Sequence, residues 1–326
     1  MGTKLLRFDV IIGNPPYQQM DDGHGASAIP LYNLFIGQAK RMKPKYLTMI
    51  IPSRWFSGGK GLLRFRQRML EEGGIREIHD FPMSAEIFPN VEIKGGVNYF
   101  LWDRDHKDRD VLVRTYYGGK CTSEMRRPLK EEGVDIFIRD NMAPAILEKV
   151  RKLKEDSFKP LLNSRDSFDL PSNFVGENKP FDGSLTMYGY KSVSYIPREK
   201  IKLGKYLIDA HKLFIGKAYG GDNKGRAVGV PFYGGDGTCC TETYYVLGPF
   251  KTKEICDNVA SYINTNFFQY MVKIKKIAQN TTGKTYEFVP IQDFNKPWTD
   301  EELYDKYGIS QEEIEHIEDM VGNKNK

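Results

Sequence analysis

Residues 10–17, Val-Ile-Ile-Gly-Asn-Pro-Pro-Tyr, constrain the fold of this chain more than any other stretch. Val10, Ile11 and Ile12 are consecutive apolar β-branched residues, the pattern of a strand buried on both faces. Gly13 ends the run. Pro15 and Pro16 fix their own φ angles, carry no N–H, and hold their predecessors extended, so no helix can follow directly. A buried strand therefore opens at its carboxyl end into a stiff loop, the end of an open α/β sheet at which ligands bind. The loop presents the Asn14 amide, the Asn14 and Pro15 carbonyls and the Tyr17 ring. Acceptors beside an aromatic face suit a planar, amino-bearing group.

The chain that follows has 326 residues, enough for two domains. After a polar, Gly-rich stretch over 18–30, read as a mobile loop over the site, "LYNLFIGQAKRMKP" has helical spacing and stops at Pro44. "YLTMIIP" is a second buried strand, "GLLRFRQRMLEEGG" a helix closed by Gly73-Gly74, "IREIHDF" a third strand and "GGVNYFLWDR" a fourth. Strand, helix, strand, helix, strand predicts a right-handed βαβ series and a parallel sheet. Beyond Asp103 the strands shorten and charged turns appear. A helix is expected over "NMAPAILEKVRKLKE" and one long amphipathic helix over roughly Lys253 to Ile277. In the tail, Thr299 before Glu302 and Ser310 before Glu313 are capping-box spacings.

Composition excludes some functions. No apolar run approaches a membrane span and no signal-peptide pattern is present, so the expected location is cytoplasmic. Four scattered cysteines (Cys121, Cys239, Cys240, Cys256) read as reduced thiols, and five scattered histidines offer no metal site. A net charge of +5 is mild, but basic residues cluster at 40–45, 64–68, 126–130 and 273–284 beside aromatics, as in chains that meet nucleic acid.

The signature Phe8-Asp9-x-Ile11-Ile12-Gly13-Asn14-Pro15-Pro16-Tyr17 resembles the catalytic motif of N6-adenine DNA methyltransferases. "LYNLFIGQAKRMKP", "YLTMIIPSRWF", "RFRQRMLEEGGIREIHDF" and "EIFPNVEIKGGVNYFLW" follow in the order of the restriction-modification branch typified by Eco57I and TaqI. The resemblance is specific over 8–103 and looser over about 240–298. It implies that a flipped-out adenine gives its two N6 hydrogens to the Asn14 side-chain oxygen and the Pro15 carbonyl. Asn14, Pro15, Pro16 and Tyr17 are then the catalytic loop. Tyr17 stacks on the base, Phe88 in "EIFP" is a second stacking aromatic, and Arg54 and Lys94 are weaker candidates for DNA phosphates. The fold class implied is α/β: a partial Rossmann-like methyltransferase sheet, the catalytic half, over 1–118, then an α+β target-recognition domain with C-terminal helices over 119–326. The partner implied is double-stranded DNA, and the cofactor S-adenosyl-L-methionine.

The resemblance departs at the cofactor. Family members place their cofactor half before the NPPY strand, with a Gly-rich turn after its first strand and then an acidic residue for the ribose, and only seven residues precede Phe8 here. "VPFYGGDGTCC", 230–240, is superficially such a turn, but β-branched and aromatic residues follow it, so a Gly-rich hairpin is expected. The main S-adenosylmethionine-binding motif is thus expected on a missing N-terminal half or a separate chain, with an apolar sheet edge left open at the first strand. Two rival readings stand beside this one. Asp80, Glu92 and Lys94 loosely match a metal-dependent nuclease pattern. The chain can also be a DNA-binding specificity module, or an inactive truncated methyltransferase.

Overall fold

The computed structural model describes residues 8–19, 29–59, 61–91, 93–218, 225–276 and 281–322. The chain forms two compact units, Met1–Pro144 and Ala145–Lys326. The expected boundary at 118/119 lies within the turn of a β-hairpin of the first unit, and moves to 144/145.

In the first unit the strands are β1 (Val10–Gly13), β2 (Tyr46–Pro52), β3 (Ile75–Phe81), β4 (Val97–Asp103), β5 (Asp110–Tyr117) and β6 (Lys120–Pro128). Helix α1 (Tyr32–Arg41) joins β1 to β2, and α2 (Leu63–Glu71) joins β2 to β3. The sheet order is β1-β2-β4-β3-β5-β6. β1 and β2 are parallel, as expected. The sheet is nevertheless mixed, because β4 lies antiparallel between β2 and β3. The link explains this. A parallel return needs a long crossover back to the other end of the sheet. The chain after β3 carries only a short 3-10 turn at Ser84–Glu86 and stays at the carboxyl end, so β4 starts there and runs back.

Register divides the sheet into two unlike faces. Leu47, Met49, Ile51, Ile78, Phe100 and Val113 are all buried. α1 and α2 cover this face and meet where the Tyr32 ring sets its edge on Phe65, with centroids 5.7 Å apart. On the opposite face a row of directly opposed residues crosses all six strands: Ile12, Thr48, Leu101, Glu77, Leu112 and Arg126. Not one of them is buried. The expectation that β1 is buried on both faces fails here. Val10 is 50% and Ile12 76% exposed, because β1 is the edge strand and pairs only with β2 among the described residues.

In the second unit α3 (Ala143–Lys152), which begins at the boundary, leads to β7 (Ser184–Gly189), β8 (Ser192–Pro197), β9 (His211–Gly216), β10 (Phe232–Gly234), β11 (Thr238–Cys240) and β12 (Tyr244–Phe250). Two three-stranded sheets, β10-β9-β12 and β11-β7-β8, close on a core that includes Phe168, Leu185, Ile196, Phe214 and Val246. The expected Gly-rich hairpin is corrected: β10 pairs with β9 and β11 with β7, so Gly234–Gly237 carries the chain from one sheet to the other. The long helix is corrected too. It is two helices, α4 (Lys253–Ile263) and α5 (Asn266–Lys275), because the Thr265 hydroxyl caps a new N-terminus by accepting from Phe268 N. Ile277 lies outside the described residues. α6 (Asp300–Tyr307) and α7 (Gln311–Val321) both begin with the expected capping boxes, Thr299/Glu302 and Ser310/Glu313.

Candidate active site

The loop after β1 lies at the carboxyl end of the sheet, on one wall of a cavity of about 870 Å³. Asn14, Pro15, Pro16, Tyr17, Phe88, Arg54 and Lys94 all line it. These are the seven residues singled out from the sequence, drawn from three separate stretches of chain. Pro15 is buried and anchors the loop, while Asn14 is exposed. Among the described residues, none bonds to the Asn14 amide or donates to the Pro15 carbonyl, so both acceptors are open. Lys45 N and Tyr46 N both donate to Asp9 O at 2.9 Å, which pins the start of β1. The loop's far end is pinned where Leu31 N donates to Tyr17 O (3.2 Å) and Gln19 N to Ile29 O (3.0 Å). Residues 20–28, the centre of the stretch expected to move over the site, lie outside the described residues.

Tyr17 and Phe88 face each other edge to face, with centroids 6.4 Å apart and planes at 74°. The loop that carries Phe88 is tied down at several points. The Ser84 hydroxyl donates to Val91 O (3.1 Å) and accepts from Ile93 N (2.9 Å). The Glu86 carboxylate accepts from Gly118 N and Gly119 N, each at 3.1 Å, and so grips the tip of the β5–β6 hairpin. Gly96 ends the loop at φ +80°, where a Cβ would stand 2.3 Å from Phe81 O. Arg139 donates to Gly95 O and pairs with the buried Asp80, Nε to Oδ2 at 2.7 Å. Ser53 completes this knot: its hydroxyl donates to Asp80 Oδ1 (2.7 Å), its N–H to Gly96 O (2.9 Å). The next residue is Arg54, so one buried network holds both the Phe88 loop and the turn bearing Arg54.

That network bears on the nuclease pattern. Asp80 is 1% exposed, lies on the covered face and is paired with Arg139. Glu92 lies outside the described residues. Burial still raises the Asp80 carboxyl above its ordinary range, with Arg139 and Ser53 opposing the shift.

Tyr32 also lines the cavity, and sequence reading missed it. It opens α1, is 2% exposed, and its hydroxyl has no hydrogen-bond partner among the described residues. The same holds for the Tyr17 hydroxyl. Burial pushes Tyr17 up to about 12 and Tyr32 higher still, so both remain protonated donors at neutral pH. A single large polar residue on a helix start carries no signal in the sequence; only the cavity marks it. Several residues of the basic clusters have structural partners instead. Arg66 donates to Asp135 O (3.0 Å) and Gly58 O (3.2 Å), Arg127 to Asn141 Oδ1 (2.9 Å), and Lys275 to Glu287 (2.8 Å). No helix among the described residues is long and apolar enough to cross a membrane.

Residues 4–88 match the family model of the Eco57I restriction-modification methylases. An uncharacterised adenine-specific methylase of Mycoplasma pneumoniae is 40% identical over 124 residues, 36% of this chain and 29% of that protein. The chain thus spans less than a third of the curated relative it matches. Among solved structures, the type IIG restriction endonuclease BpuSI aligns over 93% of this chain and 49% of its own, with 13% identity and a TM-score of 0.41. The type IIL restriction-modification enzyme MmeI, in complex with DNA, aligns over 85% and 45%, with 10% identity and a TM-score of 0.43. Over residues 4–88 this chain is thus similar to the Eco57I restriction-modification methylases, and over 124 residues to an adenine-specific methylase.

Proposed function

We propose that the chain performs the base-handling half of site-specific DNA adenine-N6 methylation in a restriction-modification system, with S-adenosyl-L-methionine as methyl donor. The observation that carries this is the pair of open acceptors on Asn14 and Pro15, walled by Tyr17 and Phe88 at the carboxyl end of β1. Adenine N6 is a poor nucleophile because its lone pair is delocalised into the ring. Two acceptors that each accept a hydrogen bond from one of its N–H groups draw the nitrogen toward tetrahedral geometry and aim its lone pair out of the ring plane. Tyr17 and Phe88 hold the base plane, which fixes that direction; positioning is the main contribution. Arg54 and Lys94 give the rim a positive charge suited to phosphates. Residues 145–326 are assigned to target recognition.

The cofactor does not fit the described residues. The Gly-rich candidate at 234–237 joins two strands and no helix N-terminus follows it, and it lies in the second unit. The reading therefore includes a cofactor-binding body beyond the described residues, and the exposed β1 edge supports it. The same edge favours one alternative, a DNA-binding or truncated form without catalysis. Transfer of a labelled methyl group from S-adenosylmethionine to unmethylated bacterial DNA separates the two. The chain is assayed alone and with the polypeptide encoded immediately upstream. Transfer only in the pair, lost on Asn14→Ala, supports methylation; no transfer in either sample overturns it.

A further inference from the structure

We propose, resting on the DNA-methylation reading, that the tip of the β7–β8 hairpin, Tyr190-Lys191, enters a groove of duplex DNA. There the Tyr190 ring stacks at a base step and the Lys191 ammonium meets a phosphate.

The turn is built from the wrong residues for a turn. β7 and β8 pair antiparallel as far as Gly189 and Ser192, so two residues, Tyr190 and Lys191, close the hairpin. Two-residue turns need left-handed backbone, which Asn-Gly, Asp-Gly or a glycine pair supplies at least cost. The β5–β6 hairpin of this chain follows that rule: Gly118-Gly119 closes it, at φ +58° and +71°. In β7–β8 the left-handed position, φ +52°, is filled by Lys191, whose Cβ strains it. Lys43 and Lys154 also have positive φ, but they follow the ends of α1 and α3, where a cation suits the helix C-terminus. No helix ends at Lys191. The hairpin thus keeps two large side chains that its own turn does not use, and strain of this kind persists where the side chains serve a contact.

Those side chains are presented to a ligand and rigidly mounted. Tyr190 is 67% exposed, and residues 190–193 are all exposed. The Lys191 ammonium lies 5.4 Å from the centroid of the Tyr190 ring, so the tip offers an aromatic face and a cation together. Beneath it, Leu185, Met187 and Ile196 belong to the core. Thr241 N donates to Tyr188 O (3.0 Å) and the Tyr244 hydroxyl to Gly189 O (3.4 Å), which fixes the strand leading into the turn. Charge selects the occupant. Lys191 is the only charged residue in 184–197, so the hairpin brings a cation and no carboxylate. Lysine is depleted in protein–protein interfaces. A two-stranded β-ribbon fits the major groove, bases stack on aromatic rings, and lysines meet phosphates.

The test measures binding of the full chain to a random-sequence DNA duplex and, separately, to heparin, a polyanion without bases. Tyr190→Ala is expected to weaken DNA binding about 5- to 150-fold, the loss of one stack, and to leave heparin binding unchanged. Lys191→Gly is expected to weaken DNA binding and to lower the slope of log affinity against log salt by about 0.9, one phosphate contact. It should also slow amide hydrogen exchange in β7 and β8, because glycine relieves the turn. Tyr190→Phe and Lys191→Arg retain binding. A chain that binds the duplex equally well with Tyr190→Ala and with Lys191→Gly overturns the proposal and leaves the methylation reading standing. Equal losses of DNA and heparin binding in Tyr190→Ala also overturn it, since they mark a structural role, as does faster exchange in Lys191→Gly, which removes the strain. A chain that binds no DNA overturns both readings.

Discussion

Replacing Arg139 with methionine tests the network behind the site most directly. The guanidinium is the only cation paired with Asp80 among the described residues, and the carboxylate is 1% exposed. Removing one partner of a buried pair costs about 3–5 kcal/mol because the other charge is left uncompensated. Asp80 has an escape, which is to take up a proton. At pH 7 that costs about 1.4 kcal/mol for each unit above the free carboxyl's ~3.9, so the loss is capped near ~4 kcal/mol. The sign follows from the raised folded-state affinity for the proton. Such a group contributes stability in full below its unfolded pKa, and the contribution is lost as pH rises. Burial already raises Asp80 in the intact protein, and loss of Arg139 raises it further. The penalty for Arg139→Met is therefore at most ~4 kcal/mol at pH 7 and at most ~1.5 kcal/mol at pH 5, and it is smaller by whatever the raised Asp80 already costs the intact protein. Urea unfolding followed by fluorescence reads this in a Trp298→Phe background, where Trp55 and Trp102 of the first unit remain. Adding Asp80→Asn to Arg139→Met should recover most of the loss at pH 7. A penalty below ~1 kcal/mol, the range of a solvent-exposed pair, would falsify the assignment of a desolvated pair. So would a penalty that does not change between pH 5 and pH 7.

Other outcomes can be checked in the same assays. Tyr17→Ala lowers methyl transfer by about 5- to 150-fold, the ~1–3 kcal/mol of one base–aromatic stack, while Tyr17→Phe stays within about two-fold because stacking uses the ring and not the hydroxyl. Tyr32→Phe leaves the unfolding midpoint unchanged and weakens methyl transfer by about 5- to 10-fold, one hydrogen bond's ~1 kcal/mol, if its buried hydroxyl meets the bound substrate; equal activity assigns Tyr32 to packing. Thr299→Ala removes the α6 capping box and destabilises the second unit by ~1 kcal/mol, measured from Trp298 fluorescence.

Much of the site was legible before the fold. Pro15 and Pro16 forbid a helix after β1 by covalent geometry, so the stiff loop and its open acceptors follow from local chemistry alone. The capping boxes at Thr299 and Ser310 are equally local, a side chain bonding a backbone three residues away, and both form. What failed was decided between distant segments. Val10 and Ile12 read as buried on both faces, yet whether an apolar strand is covered depends on which strands and helices stand beside it, and β1 stands at an edge. The antiparallel insertion of β4 depends on the end of the sheet at which the preceding loop stays. The role of Arg66 and Arg127 as donors to backbone carbonyls depends on chain brought from residues 135 to 138. By itself the sequence determined the stiff loop after β1, because rigid local geometry makes it. Only the tertiary structure decided which face of the sheet is covered and the buried Asp80–Arg139 knot, because burial and charge pairing belong to neighbours far apart in the chain.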